Sequence, residues 1–341
     1  MFSPKSLAAA TAAFALFSSS TADYNPAGKG NTAVYWGAGG SQKALTSYCY
    51  DQSIDIIPVA FINSFPAQAN GLFGVGMASN TVNASPKYAG PGYAGNPPNP
   101  NNDEMWTDCS PIASALYECQ QNTKTKFLLS LGGAVGNYNL NNASDGVYLA
   151  NLLWGAFGPY NAAWVASGGI RPFDVSSTKT IEFDGFDFDI ETQPTDNQAG
   201  YIAAINQLRI LFAEHNKATG CNKQYLITGA PQCPLPDAQM SDMINGAQFD
   251  IVWPQFYNNP SCSARNWVTN PGKSGFNFNQ WQTSLATGAS KDAQLYIGLL
   301  GGPQGTSATY STDYLNPTEA KSLIGAYAGQ SKFGGVMLWD A

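Results

Sequence analysis

The chain has 341 residues, of which 44 % are hydrophobic and 11 % charged, with a formal net charge of −7. That length and apolar content supply one barrel-sized core or two smaller ones. The 16 basic residues are scattered in an acidic background, which argues against nucleic acid and anionic membranes as partners and for a neutral ligand. Aromatic residues make up 13 %, which suits a large core or a cleft that stacks on rings.

In chain order, Lys5, an apolar stretch from Leu7 to Phe17 and Ser20-Thr21-Ala22 form the pattern of a secretory leader over residues 1–22, with the mature chain starting near Asp23. The stretch is shorter than the roughly 20 apolar residues a membrane span needs, and no later segment approaches that length. Short β-branched and aromatic runs then predict strands at 33–37, 56–61, 126–132, 185–191, 225–230, 251–257, 295–300 and 335–339. Between residues 66 and 108 the composition turns to Gly, Pro, Asn and Ala, with Pro91-Gly92-Tyr93 and Asn96-Pro97-Pro98-Asn99-Pro100-Asn101 as breakers; this reads as a long excursion on the second strand's loop. A helix is predicted over 144–154. Another follows the fourth strand, with Thr195 and Gln198 as a capping box and Ile202, Ile205, Leu208 and Leu211 at helical spacing toward Gly220. Eight strands alternating with helices predict a parallel sheet, most economically a closed (β/α)8 barrel, the TIM-barrel architecture, as a single α/β domain over 23–341. A doubly wound sheet fits less well, because Gly37-Ala38-Gly39-Gly40 lacks the nucleotide-binding spacing.

Six cysteines (Cys49, Cys109, Cys119, Cys221, Cys233, Cys262) in an exported chain allow up to three disulfides, with the pairing open from pattern alone. No C-x-x-C pair occurs, and the single histidine, His215, is expected on the surface or at a helix C-cap. A Ser-His-Asp triad, a polyhistidine metal site and a cofactor are therefore not expected. Asn83-Ala84-Ser85 and Asn142-Ala143-Ser144 are acceptor sequons for N-glycosylation.

The most informative segment is Phe183-Asp184-Gly185-Phe186-Asp187-Phe188-Asp189-Ile190-Glu191. On a strand, Asp187, Asp189 and Glu191 share one face, and Phe186, Phe188 and Ile190 share the other. Three carboxyls on one face of an apolar strand, with no basic residue in the run, cannot all ionise cheaply, so at least one is expected to hold its proton near neutral pH as a general acid. A solvated acidic edge and a calcium site are the bland alternatives. The apolar alternate face and the absence of a flexible loop between the acids count against both.

Asp184-Gly185-Phe186-Asp187-Phe188-Asp189-Ile190-Glu191 resembles the DGxDxDxE signature of family 18 glycoside hydrolases, the chitinases, and Ser130-Leu131-Gly132-Gly133 resembles the family's SxGG signature on the preceding strand. Val34-Tyr35-Trp36-Gly37, Ala230-Pro231-Gln232-Cys233-Pro234, Gln255-Phe256-Tyr257-Asn258-Asn259 and Gly334-Gly335-Val336-Met337-Leu338-Trp339 are similar to the plant-type, hevamine-like class III branch, also found in fungi. The resemblance implies a barrel with Glu191 as general acid and base, and Asp189 as the carboxyl that orients the substrate's acetamido group. It makes Asp187 the inner partner of Asp189, Tyr257 a hydroxyl that holds the acetamido group with Gln255 beside it, and Trp339 the floor of the cleft. Tyr35, Phe61 and Gly133 would line the same cleft. It also implies disulfides Cys49–Cys119 and Cys233–Cys262, leaving Cys109 and Cys221 over. In this branch a glutamine usually follows Tyr-Trp-Gly, whereas this chain has Ala38. A final helix usually follows the eighth strand, and its absence before Ala341 is expected to mean a fragment or incomplete gene model.

The implied activity is a secreted endochitinase, a monomer acting on chitin or chitooligosaccharide outside the cell or in its wall, without metal or cofactor. The alternatives are an endo-β-N-acetylglucosaminidase acting on N-glycans, which shares the acidic signature, and a non-catalytic lectin or inhibitor on the same barrel.

Overall fold

In the computed structural model, residues 23–39, 42–75, 92–97, 109–303 and 311–341 are described. Residues 1–22, read above as a leader, the Asn83 sequon and most of the 66–108 excursion lie outside the described residues.

Eight parallel strands close into a barrel: β1 (Asn31–Val34), β2 (Ile56–Ser64), β4 (Lys126–Gly133), β5 (Gly185–Ile190), β6 (Leu226–Gly229), β7 (Ile251–Val252), β8 (Gln294–Leu300) and β9 (Phe333–Trp339). Closure is made by β1, which pairs with β9 from Asn31↔Gly335 to Val34↔Leu338 and with β2 at Ala33↔Ile56. The predicted strands all occur, with shifted ends. The run predicted over 251–257 stops at Val252, because Pro254 has no N–H to continue the ladder. Gln255 rejoins as single bridges to Gln232 and Gly298, which leaves Tyr257 on a loop. A two-residue strand that the sequence did not reveal, β3 (Gly74–Val75), lies antiparallel on β2.

Helices α1 (Thr46–Cys49), α2 (Ser110–Asn122), α3 (Ala143–Phe157), α4 (Ala162–Ala166), α5 (Ala199–Thr219), α6 (Ser241–Gly246), α7 (Ala264–Thr269), α8 (Phe278–Ser284) and α9 (Pro317–Tyr327) cover the outside. The strands divide their side chains by parity. Phe186, Phe188 and Ile190 of β5 join the layer between sheet and helices, while Ala33, Tyr35, Leu128, Leu226, Trp253, Tyr296 and Met337 fill the barrel interior. Burying this interior is what obliges polar residues there to find partners.

Helix α5 starts at Ala199, four residues after the predicted cap Thr195. Gln198 is not part of a capping box: it takes a left-handed conformation (φ 65°), and its side chain accepts from Met243 N at 2.8 Å. Asp196 Oδ2 instead accepts from Gly200 N at 2.6 Å. The buried face runs through Tyr201, Ile205, Leu208 and Phe212, so Ile202 and Leu211 lie at its margins. His215 is half-buried within α5, edge-on to Trp154 and Tyr225, and not at the C-cap, which is Gly220. Asn142 of the second sequon is exposed and caps α3 by accepting from Asp145 N.

Disulfides Cys49–Cys119 and Cys233–Cys262 form as the resemblance implied. The first ties α1 to α2, and the second ties the loops after β6 and β7. Cys221 is an exposed thiol and Cys109 is buried at the start of α2. Described parts of the excursion pack on α3: Tyr93 OH donates to Asp145 at 2.5 Å and Tyr148 OH to Gly71 O at 2.8 Å. Among the described residues no helix is long and apolar enough to cross a membrane.

The lower rim, where the strands begin, carries a repeated clamp. Asp55, Asp184 and Asp250 each stand one residue before a strand. Their backbone N–H groups donate to Thr32 O, Phe127 O and Ile227 O at 2.9, 2.8 and 2.7 Å. Their carboxylates accept from the N–H of those same three residues at 2.8, 3.0 and 2.7 Å. Each aspartate thus satisfies both backbone groups of the second residue on the preceding strand and fixes its register.

Candidate active site

The site sits at the opposite rim, where parallel-barrel strands end. Asp187 and Asp189 lie on β5 and Glu191 immediately follows it; all three sit on the inward parity. Asp187 is fully buried at the centre, and its neighbours in register supply its partners: Ser130 lies across on β4 and Thr228 across on β6. Ser130 Oγ and Thr228 Oγ1 each donate to its carboxylate at 2.6 Å, as does Tyr35 OH at 2.6 Å from across the barrel. Trp253 Nε1 donates to Tyr35 OH at 3.0 Å, which fixes that hydroxyl. Burial pushes the Asp187 carboxyl up, and the three hydroxyls oppose that shift.

Asp189, 3 % exposed, is held well above the ordinary carboxylate range, first by burial and then by the charges of Glu191 and Asp187. Glu191 is half-exposed at the mouth and is also raised by burial. Gln255 Nε2 joins the two, donating to Asp189 Oδ1 at 3.0 Å and Glu191 Oε1 at 3.2 Å, and also touches Ala230 O at 3.2 Å. Two carboxyls that share one amide donor, both raised by burial, are coupled in their titration.

The glycines of Ser130-Leu131-Gly132-Gly133 have a steric cause. Gly132 (φ 109°) faces Asp189 in register, and a Cβ there would strike the Asp189 carbonyl; at Gly133 (φ 89°) it would lie 2.9 Å from the Phe61 ring. Gly133 therefore lets Phe61 lie under the cleft. Phe61 stacks on Trp339 with centroids 5.6 Å apart, and Tyr35 meets Trp339 edge-on at 5.2 Å. The Ala60–Phe61 and Trp339–Asp340 peptide bonds are cis. Tyr257 is 4 % exposed, and burial, with the charges of Asp189 and Glu191, keeps its phenol protonated as a donor. All nine sequence-named residues (Tyr35, Phe61, Gly133, Asp187, Asp189, Glu191, Gln255, Tyr257 and Trp339) thus belong to this end of the barrel.

Several contributors escaped the sequence. Tyr138 OH donates to Gly133 O at 2.6 Å and accepts from Glu191 N at 3.0 Å, tying the β4 loop to the residue that carries the acid. Gln42 accepts from Gly37 N at 2.8 Å and donates to Asp340 Oδ2 at 3.2 Å, bridging the first and last strands beside Trp339. Asp237, pushed up to about 6 by burial, accepts from Gln232 N, Gln239 N and Met240 N and shapes the loop next to Gln255. Thr228 sits opposite Asp187 only through register, and nothing local in the sequence marks Tyr138 or Gln42.

Residues 31–315 match the model of glycosyl hydrolases family 18. The chain belongs to this family. It is similar to endochitinase A of Aspergillus niger, with 38 % identity over 345 residues, covering 100 % of this chain and 25 % of that protein. To endochitinase A of Emericella nidulans it is 39 % identical over 316 residues, covering 92 % and 30 %. The chain thus spans well under half the length of these curated relatives. Among solved structures, a chitinase from Ipomoea carnea superposes with TM-score 0.64 at 27 % identity, covering 91 % of this chain and 94 % of that one. A xylanase and alpha-amylase inhibitor protein from Scadoxus multiflorus superposes with TM-score 0.63 at 25 % identity, covering 92 % and 93 %. A chitinase and an inhibitor protein thus share this fold, and the acid cluster must decide between such roles here.

Proposed function

We propose that this family 18 chain is a secreted endochitinase that cleaves β-1,4 bonds between N-acetylglucosamine units with retention of anomeric configuration. The observation that carries the reading is the line Asp187, Asp189, Glu191, its last two members joined by Gln255, with a protonated Tyr257 at the same end of the barrel. Glu191, at the mouth, gives its proton to the glycosidic oxygen as the bond to C1 breaks. The carbonyl oxygen of the substrate's own acetamido group forms the new bond to C1, so no enzyme carboxylate is the nucleophile. Asp189 accepts the acetamido N–H and offsets the positive charge of the resulting oxazolinium, while Tyr257 donates to the acetamido oxygen. Asp187, clasped by three hydroxyls, holds Asp189 in place and modulates its proton. Glu191, now ionised, takes a proton from water as that water attacks C1 and the bond from C1 to the acetamido oxygen breaks, which restores the acetamido group and releases the retained product.

Disulfides Cys49–Cys119 and Cys233–Cys262 and the leader pattern support export to an oxidising compartment and action outside the cell. A non-catalytic binder is favoured only by the inhibitor that shares this fold, and the intact acid line with Gln255 and Tyr257 speaks against it. The test is cleavage of chitin tetra- to hexasaccharides by wild type and Glu191→Gln, with product anomers read by NMR before they mutarotate. β-Anomers from wild type and a loss of about 10² or more in the variant support the proposal. Binding without turnover by folded wild type identifies a lectin or inhibitor, and turnover of high-mannose glycopeptide alone identifies an N-glycan hydrolase.

A further inference from the structure

The segment ahead of β1 is fastened with unusual care to the lower rim. Tyr24 is buried in the barrel interior, and Asn31 accepts from Asn25 N at 2.9 Å while donating to Asn25 O and Gly334 O at 2.9 and 3.0 Å. This anchoring sets the backbone nitrogen of Asp23 at 3.0 Å from Asp55 Oδ1, while Thr32 N donates to Asp55 Oδ2. Asp55 is 2 % exposed, yet it differs from the other two clamps: Asp184 and Asp250 pair with Lys126, Lys223 and Arg209, and no basic side chain pairs with Asp55 among the described residues. Lys124, just ahead of β4, is spent on Asp23 Oδ2 at 2.8 Å, and Lys29, the cation on the segment itself, donates to Gly329 O and Gln330 O. A buried carboxylate beside a peptide N–H is under-compensated; beside an ammonium it is not.

We propose that cleavage of the leader between Ala22 and Asp23 converts this hydrogen bond into an ion pair between the new α-ammonium and Asp55, so that export itself completes the third clamp of the lower rim. The inference rests on residues 1–22 being a leader and is independent of the activity proposed above. A signal peptidase hydrolyses the Ala22–Asp23 amide with water. The hydroxyl goes to the departing Ala22 carboxylate, and the amine it frees takes up protons at the point where the donor already sits. The groups facing the pair are the Asp23 carboxylate with Lys124, the Tyr24 and Tyr296 phenols, and, one clamp away on either side, Lys126 and Asp250. Tyr24 and Tyr296 are both raised by burial and stay neutral, so the α-amine and Asp55 are the groups that titrate between weakly acidic and alkaline pH.

The sign follows from linkage. Pairing raises the folded-state pKa of the α-amine above its ordinary value of about 8, so its stabilisation is present below that value and is lost as pH rises through the folded pKa. Burial raises the Asp55 carboxyl while it faces only amides, so protonation of Asp55 removes the pair on the acid side. Two otherwise identical chains test this, one beginning at Asp23 and one carrying Gly-Ala ahead of it, which keeps the N–H donor and moves the charge away. The Asp23-first form is expected to melt about 2–4 °C higher near pH 7, with the gap closing above roughly pH 10. In Asp55→Asn the two starts are expected to melt together; should that variant not fold, the pH dependence of the wild-type pair carries the test. Equal melting of the two wild-type forms at every pH overturns the ion pair. A secreted protein whose first residue, read by mass spectrometry, is not Asp23 overturns the link to export.

Discussion

Asp184, one residue ahead of β5, and Asp187, on it, are three residues apart yet serve opposite ends of the barrel. At the lower rim, Asp184 accepts from Phe127 N and is flanked by Lys126 and Lys223 at 3.4 and 3.3 Å. At the upper rim, Asp187, Asp189 and Glu191 have no cation within ion-pair distance among the described residues; hydroxyls, one amide and each other are their partners. Below, Asp184 and Asp250 meet cations as well as backbone donors, and the return is a fixed register. Above, burial and like charge press against ionisation, and the return is a proton held ready for transfer. The same side chain is a clamp or a reagent according to what faces it.

The largest expected effect that would break this division is at Glu191. Glu191→Gln is expected to lower kcat on chitin oligosaccharides by about 10²–10⁴-fold while leaving the melting temperature near wild type. A large drop in melting temperature would show that the upper rim also carries stability. Asp184→Ala is the mirror experiment. Losing the N–H acceptor and the counter-charge of two lysines is expected to cost about 2–4 kcal/mol in denaturant unfolding, with kcat per folded molecule unchanged.

Asp189→Asn sharpens the contrast through pH. Because the Asp189 carboxyl is raised in the folded state, the wild-type fold binds that proton more tightly than the unfolded chain does. Stability is therefore expected to fall as pH rises through the pair's folded pKa, and the variant is expected to lose that slope. The basic limb of kcat/KM should move to lower pH, since Glu191 then titrates without a partner to share its proton. A variant with the wild-type slope and limb would mean that the pair is not coupled. The smallest effect is expected at Lys223→Met. Its ammonium, about a third exposed, reaches Glu182 at 2.8 Å and Asp184 at 3.3 Å, and its loss should cost under about 1 kcal/mol with no change in kcat.

Much of the upper rim was legible because its signals are local. On a strand, two-residue spacing puts Asp187, Asp189 and Glu191 on one face, whereas Gly132 and Gly133 were read only through the resemblance and their steric cause came from the structure. Strand existence was equally readable from short apolar runs, while strand ends were not: Pro254 ended β7 early, and Gln198 turned left-handed to bond Met243 instead of forming a box with Thr195. The lower clamps were missed, although Ile54-Asp55-Ile56, Phe183-Asp184-Gly185 and Phe249-Asp250-Ile251 share a form. An aspartate before a strand reveals its role only once the preceding strand is known to lie beside it.

By itself, then, the sequence determined the parity of the acid line and the number of barrel strands, since each is read from runs of residues close together along the chain. Tertiary structure alone decided which hydroxyls clasp Asp187, since Tyr35 lies 152 residues away and Ser130 and Thr228 meet it only through register. It also decided that Gln255 spans Asp189 and Glu191 from across the barrel, that Tyr138 braces the acid, and that Asp55 waits beside the nitrogen of Asp23. Closing eight strands into a ring brings such distant residues within 3 Å or so of one another, and closure is a property of the whole sheet that no local pattern encodes.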